Sequence, residues 1–144
     1  MALKETRYSS YTFNFALGKL TDDVEIEQGQ WVKKDGSTGK VVVATDSTGA
    51  YMSNVSYLPS SPKKTSTMSD PKVQNVAVWM GHGLFWTDMY IDASYTVGQA
   101  LKVGAGGKLG ALGGSDSPLL RVAKVITPPD SGTGETFMLI ELCS

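Results

Sequence analysis

Apolar residues in this chain fall in short runs between clusters of Gly, Pro, Ser and Asp, and no stretch sustains a helical period. The last third shows this most plainly. Residues 96–103, 119–126 and 136–142 are rich in Val, Ile and Leu, and turn residues bound each run. Runs of this length and composition predict β-strands. After the first run, Gly104-Ala105-Gly106-Gly107-Lys108 predicts a hairpin turn, because glycine reaches positive φ without steric cost. Before the last run, Pro128-Pro129 and the Asp, Ser and Gly residues that follow predict a reversal, since proline cannot donate to a ladder.

Upstream the same alternation recurs. Phe13, Phe15 and Leu17 alternate with Asn14 and Ala16, which predicts a strand with one aromatic face. Val24 and Ile26 alternate with Glu25 and Glu27 as in a half-exposed strand; a helical turn capped by Thr21 or Asp22 would put the two apolar residues on different faces. Gln30-Trp31-Val32 leads into an Asp-Gly turn at 35–39, and Lys40 to Thr45 is a valine-rich strand ended by Asp46-Ser47-Thr48-Gly49. Residues 51–58 alternate more loosely, with Met52, Val55 and Tyr57 as the larger groups. A long irregular stretch then carries Pro59, Pro62 and Pro71; loops of this kind are usually functional or mobile. Val73 to Met80 predicts a strand, Gly81-His82-Gly83 a hairpin turn, and Leu84 to Ile91 the returning strand, with Trp86 opposite Trp79. About eight to ten strands at this spacing predict an all-β single domain, a small β-barrel or sandwich. The expected division is an extended N-terminal arm over 1–17 and a β-barrel domain over 18–144.

Composition narrows the function classes. At 144 residues with 41% apolar content the chain can bury a sizeable core, and 16 glycines and 6 prolines favour turns over long helices. Thirteen basic and fourteen acidic residues give a net charge of −1, which supplies no general pull toward nucleic acid or membrane. The single cysteine, Cys143, cannot form an intrachain disulfide, which points to synthesis in a reducing compartment such as cytosol. No apolar run approaches the ~18 to 20 residues of a membrane span, and no secretory leader is evident at the N-terminus.

Candidate chemistry is sparse. His82 lies between glycines, and although Asp88 and Asp92 are near in sequence, nothing places them beside it to fix a tautomer. There is no Gly-x-Ser-x-Gly nucleophile elbow. Gly104 to Gly110 is not a phosphate loop, because Leu109 follows the lysine where a serine or threonine is needed, and the glycines that follow are poor helix formers. Aspartates at 46, 70 and 130 sit at turns, where the carboxylate serves the backbone. The expectation is a protein without enzymatic activity, cofactor or metal.

Aromatic residues offer the other signal. Trp31, Trp79 and Trp86 are expected to fill the core, the alternative being a sugar-stacking or protein-contact platform. Tyr8, Tyr11, Phe13 and Phe15 precede the first solid strand, and rings of this size are too apolar for a free tail to leave wet. They are expected to dock on a partner rather than to close the domain's own end. Lys63 and Lys64 in the long loop are a second candidate contact, with an acidic partner.

Val97-Gly98-Gln99-Ala100-Leu101-Lys102-Val103, Gly107-Lys108-Leu109, Arg121 to Ile126 and the terminal Phe137 to Leu142, together with Gly29-Gln30-Trp31-Val32 and Lys40 to Ala44, resemble the tailed-bacteriophage head decoration (capsid cement) protein family over residues 29–142. The 59–71 loop departs from many members. The resemblance implies a β-tulip-like barrel, a homotrimer, seated at capsomer junctions outside an icosahedral shell. It further implies the major capsid protein as partner, a virion location after synthesis in the host cytoplasm, and an arm that reaches capsid or neighbouring subunits. The alternative function is a β-rich phage tail or receptor-binding module, contacting glycans through Trp79, Trp86 or Tyr90.

Overall fold

The short valine- and leucine-rich runs pair as antiparallel strands, as a period of two requires when each residue alternates between core and solvent. The computed structural model describes residues 3–5, 11–19, 25–54, 75–129 and 136–142. In chain order the strands are β1 (Leu3–Glu5), β2 (Tyr11–Lys19), β3 (Trp31–Lys34), β4 (Val41–Val43), β5 (Tyr51–Ser53), β6 (Asn75–His82), β7 (Leu84–Thr87), β8 (Ala100–Val103), β9 (Leu109–Ala111), β10 (Ala123–Thr127) and β11 (Met138–Leu142). They form a six-stranded sheet, β1-β7-β11-β10-β8-β9, and a five-stranded sheet, β2-β6-β5-β3-β4. The fold is all-β and sandwich-like; among the described residues it is not a closed barrel.

The main core lies between the sheets. Phe85, Leu101, Val103, Leu109, Ala123, Val125, Met138, Ile140 and Leu142 from the larger sheet pack with Trp31 and Met52 from the smaller one. In β11 every second residue is buried, and in β10 Ala123 and Val125 are, up to the bulge before exposed Thr127, which is the period-two pattern read directly in space. The smaller sheet is buried on its other face too. Val32, next to Trp31, and Val78, next to Trp79, join Ile26, Val41 and Val76 in a second cluster, with Leu17 and Tyr51 against it. This second core forms because the sheet rolls. β2 and β4 are the outer strands of the order, yet a Cβ on Gly18 would lie 3.5 Å from Val41 Cγ2 and 3.6 Å from the Gly39 carbonyl oxygen. The register of β2 against β6 shifts between Ala16 and Gly18, and a bulge of this kind bends a strand and increases its twist.

The expected hairpin at Gly81-His82-Gly83 is not one. β6 pairs with β2 and β5, whereas β7 pairs with β1 and β11, and only Gly83 separates them. The chain runs on through a bend and changes sheets, a corner such sandwiches make with bends or bulges. Gly81 has φ of +101°, which a residue with a Cβ resists. Trp86 therefore does not face Trp79. The ring near Trp79 is Phe85, 5.3 Å away between centroids and tilted by 46°.

The Gly104–Lys108 turn is as expected: Val103 and Leu109 pair across it and Gly106 and Gly107 have φ of +70° and +67°. Two apolar runs are shorter as strands than their composition suggests. Pro118–Leu120 is a 3-10 turn that leaves Leu119 92% exposed, and Val97 is 75% exposed ahead of β8. The returning strand stops at Thr87, whose buried hydroxyl accepts the Met89 N–H at 3.0 Å; a side chain that offers the backbone a local partner competes with the ladder.

Candidate functional site

The predicted contact residues divide by position. Tyr8, Lys63 and Lys64 lie outside the described residues, as does the 59–71 loop. Tyr11, Phe13 and Phe15 are in β2, with backbones opposite His82, Met80 and Val78. β2 runs unbroken past residue 17, and Leu3–Glu5 pairs with Thr87, Trp86 and Phe85 of β7. The stretch read as an arm thus contributes one outer strand to each sheet. A strand with that position has one side of its ladder satisfied and the other turned away from the sheet.

His82 is exposed at the end of β6, and it lines neither cleft of the molecule described below. Among the described residues no group of three or more His, Cys, Asp or Glu side chains is placed to hold a metal ion. Of the aspartates expected to serve turns, Asp70 and Asp130 lie outside the described residues, and Asp46 serves the backbone, as do Asp35 and Asp116. Asp35 Oδ1 accepts both the backbone N–H and the hydroxyl of Ser37 at 2.8 Å, and these bonds hold its carboxyl below the usual range. Asp46 accepts the Thr48 N–H at 2.9 Å. Asp116 accepts the Lys102 ammonium and the Gly113 N–H, each at 2.7 Å, and the lysine chiefly lowers its pKa.

Trp31 and Trp79 take the expected places in or against the main core, whereas Trp86 joins neither cluster of the described residues, because it lies on the face of β7 opposite to buried Phe85 and Thr87. Trp31 is 4% exposed and half-buried Trp79 packs on the main core. Among the described residues neither indole N–H has a partner. Trp86 is half-buried, opposite Leu139 in β11.

Two clefts were not foreseen. One, of about 420 Å³, is lined by Glu25, Glu27, Gln30, Asp88, Met89 and Lys108. The hairpin tip helps build it, because Gln30 Nε2 donates to the Gly106 carbonyl at 2.8 Å and so ties β3 to the turn. Burial raises the Asp88 carboxyl above its ordinary value.

The other cleft, of about 400 Å³, is lined by Tyr90, Asp92, Ser94, Tyr95, Pro129 and Thr136, with Ala93. Here the chain leaves β7 and crosses toward β8, touching β9 where Tyr90 and Leu109 form an isolated bridge. The Tyr90 hydroxyl donates to the Thr136 carbonyl at 2.6 Å and the Tyr95 hydroxyl donates to the Ile91 carbonyl. The two rings meet edge to face, 5.7 Å apart at 86°. Burial, then the neighbouring Tyr90 and Asp92, raise the Tyr95 pKa. Of this group only Tyr90 was a candidate, because the cleft joins residues 46 positions apart and no local period marks them. Set against known protein families, characterised proteins and solved structures, the chain matches none.

Proposed function

We propose that this chain is a structural adhesion protein of a virus particle, a head decoration protein that sits outside the shell at capsomer junctions, grips the major capsid protein and acts as a homotrimer. One observation carries the reading. The aromatic N-terminal stretch supplies β2, a nine-residue strand at the outer position of its sheet, so main-chain donors and acceptors of its first part, ahead of the contact between Gly18 and β4, face away from β6. Such an edge takes a partner strand through backbone hydrogen bonds, with neighbouring side chains giving selectivity. The resemblance in residues 29–142 supports the choice of partner. A trimer seated at a junction converts three modest contacts into strong attachment through effective concentration, without an active site.

The test uses full-length protein and undecorated heads of the virus that encodes it. Co-sedimentation reads binding, and light scattering reads the trimer. Single prolines placed along residues 12–16 then separate ladder from edge. In an antiparallel pair the N–H groups alternate between the partner and the open side. Prolines at open-side positions are expected to retain the far-ultraviolet spectrum and lose head binding at least tenfold; those facing β6 disrupt folding. Binding by every folded proline variant at the unmodified level would refute the edge mechanism, and a full-length chain that ignores the heads would refute the function.

A further inference from the structure

We infer that the cleft walled by Tyr90 and Asp92 is a binding site for a neutral saccharide. Sugars combine a C–H face, which packs on an aromatic ring, with hydroxyls that need several short polar partners, and this cleft supplies both. Tyr90 is half-buried and its ring is fixed at two points: the hydroxyl on the Thr136 carbonyl and the ring against Tyr95. Tyr95 is itself 8% exposed and anchored on Ile91. A wall fixed in advance loses little conformational freedom when a ligand docks, which preserves affinity.

The polar partners stand beside that wall. Asp92 and Ser94 are exposed, line the cleft, and have no hydrogen-bonding partner among the described residues. A carboxylate accepts from two adjacent hydroxyls and a serine hydroxyl both donates and accepts. At about 400 Å³ the cleft falls within the ~300 to 1,000 Å³ of small-molecule sites. Charge selects among sugars. Among the described residues of the lining Asp92 is the only charged one, so sialic and uronic acids, which bring a second carboxylate, are disfavoured. An organic cation would need several accessible ring faces, and Tyr95, 8% exposed, offers none. The site is separate from the β2 edge and does not depend on the decoration role; it would serve a receptor-binding module equally.

Full-length protein is screened on neutral oligosaccharides ending in galactose, mannose or N-acetylglucosamine, on their sialylated counterparts and on choline, and any hit is titrated by calorimetry. Binding to at least one neutral sugar is expected, falling tenfold or more in Asp92→Asn and in Tyr90→Ala. Tyr90→Phe, which keeps the ring and loses the Thr136 tether, is expected to bind more weakly than the parent and better than Tyr90→Ala. Circular dichroism confirms folding, and Asp92→Asn should still decorate heads, so failure here and failure of the head-binding role are told apart. The inference is overturned by the absence of neutral-sugar binding at millimolar ligand, by binding of sialylated sugars or choline alone, or by neutral-sugar binding unchanged in folded Asp92→Asn.

Discussion

Two glycines in one turn show how much a single Cβ matters. Gly106 and Gly107 have nearly the same φ, +70° and +67°, and both positions are strained for any other residue. A Cβ on Gly106 meets nothing within 4 Å, whereas one on Gly107 would sit 2.5 Å from the Trp31 carbonyl oxygen and 3.0 Å from Val43 Cγ1. Gly106→Ala is expected to cost about 1 kcal/mol, the left-handed penalty alone. Gly107→Ala adds a backbone clash and is expected to cost about 2 to 5 kcal/mol in denaturant unfolding. Two aspartates should respond oppositely to pH. The Lys102-held Asp116 has a lowered folded pKa, so the unfolded chain binds more protons in that window and stability rises with pH through it. Asp116→Asn should lower the melting midpoint at pH 7, with the gap closing as pH falls through the carboxylate range. Asp88, raised by burial, has the reverse sign: the folded state holds the proton more tightly and stability falls as pH rises through its range. Asp88→Asn should raise the midpoint at pH 7 and leave it unchanged near pH 3.

Elements were legible where the run of residues and its backbone partners coincide. The 138–142 strand follows strict alternation and the 123–127 strand does so up to the bulge after Val125, and the Asp-Gly and Gly-Gly turns carry their own backbone requirements. Residue type was misleading where local chemistry did not settle the partner. Leu119-Leu120 reads as strand, yet Pro118 and the Ser117 hydroxyl, which accepts the Leu119 N–H at 3.3 Å, set a 3-10 turn instead. Gly81-His82-Gly83 has the composition of a hairpin, but the strands on either side belong to different sheets. Since the bend, not a turn, is what Gly81 supplies at φ of +101°, Gly81→Ala is expected to destabilise by about 1 to 3 kcal/mol. Leu119→Ser, at 92% exposure, should shift stability by less than about 0.5 kcal/mol. Equilibrium unfolding of the two variants separates a strained corner from an exposed leucine.

Across the whole molecule the bend between β6 and β7 joins two cores. Val76 and Val78 sit in the rolled sheet's interior, and Phe85, a few residues on, sits between the sheets. Ile26→Ala is expected to cost about 2 to 5 kcal/mol and Phe85→Ala about 3 to 5 kcal/mol, since both side chains are fully buried. Because one continuous segment threads both cores, both variants should still unfold in a single transition, with tryptophan fluorescence and circular dichroism coincident. Separate transitions for the two would show that the cores are independent.

The all-strand class, most strand centres, the turn aspartates and the burial of Trp31 follow from the sequence, because alternation and turn chemistry act between neighbours a few residues apart. Which sheet each strand joins, the rolling of the smaller sheet and the incorporation of residues 11–17 as an outer strand were decided only in the tertiary structure. So was the Tyr90 cleft. Those features depend on contacts between distant parts of the chain, such as Gly18 with Val41 and Tyr90 with Thr136, and a period of two says which face a residue takes without saying what will lie against it.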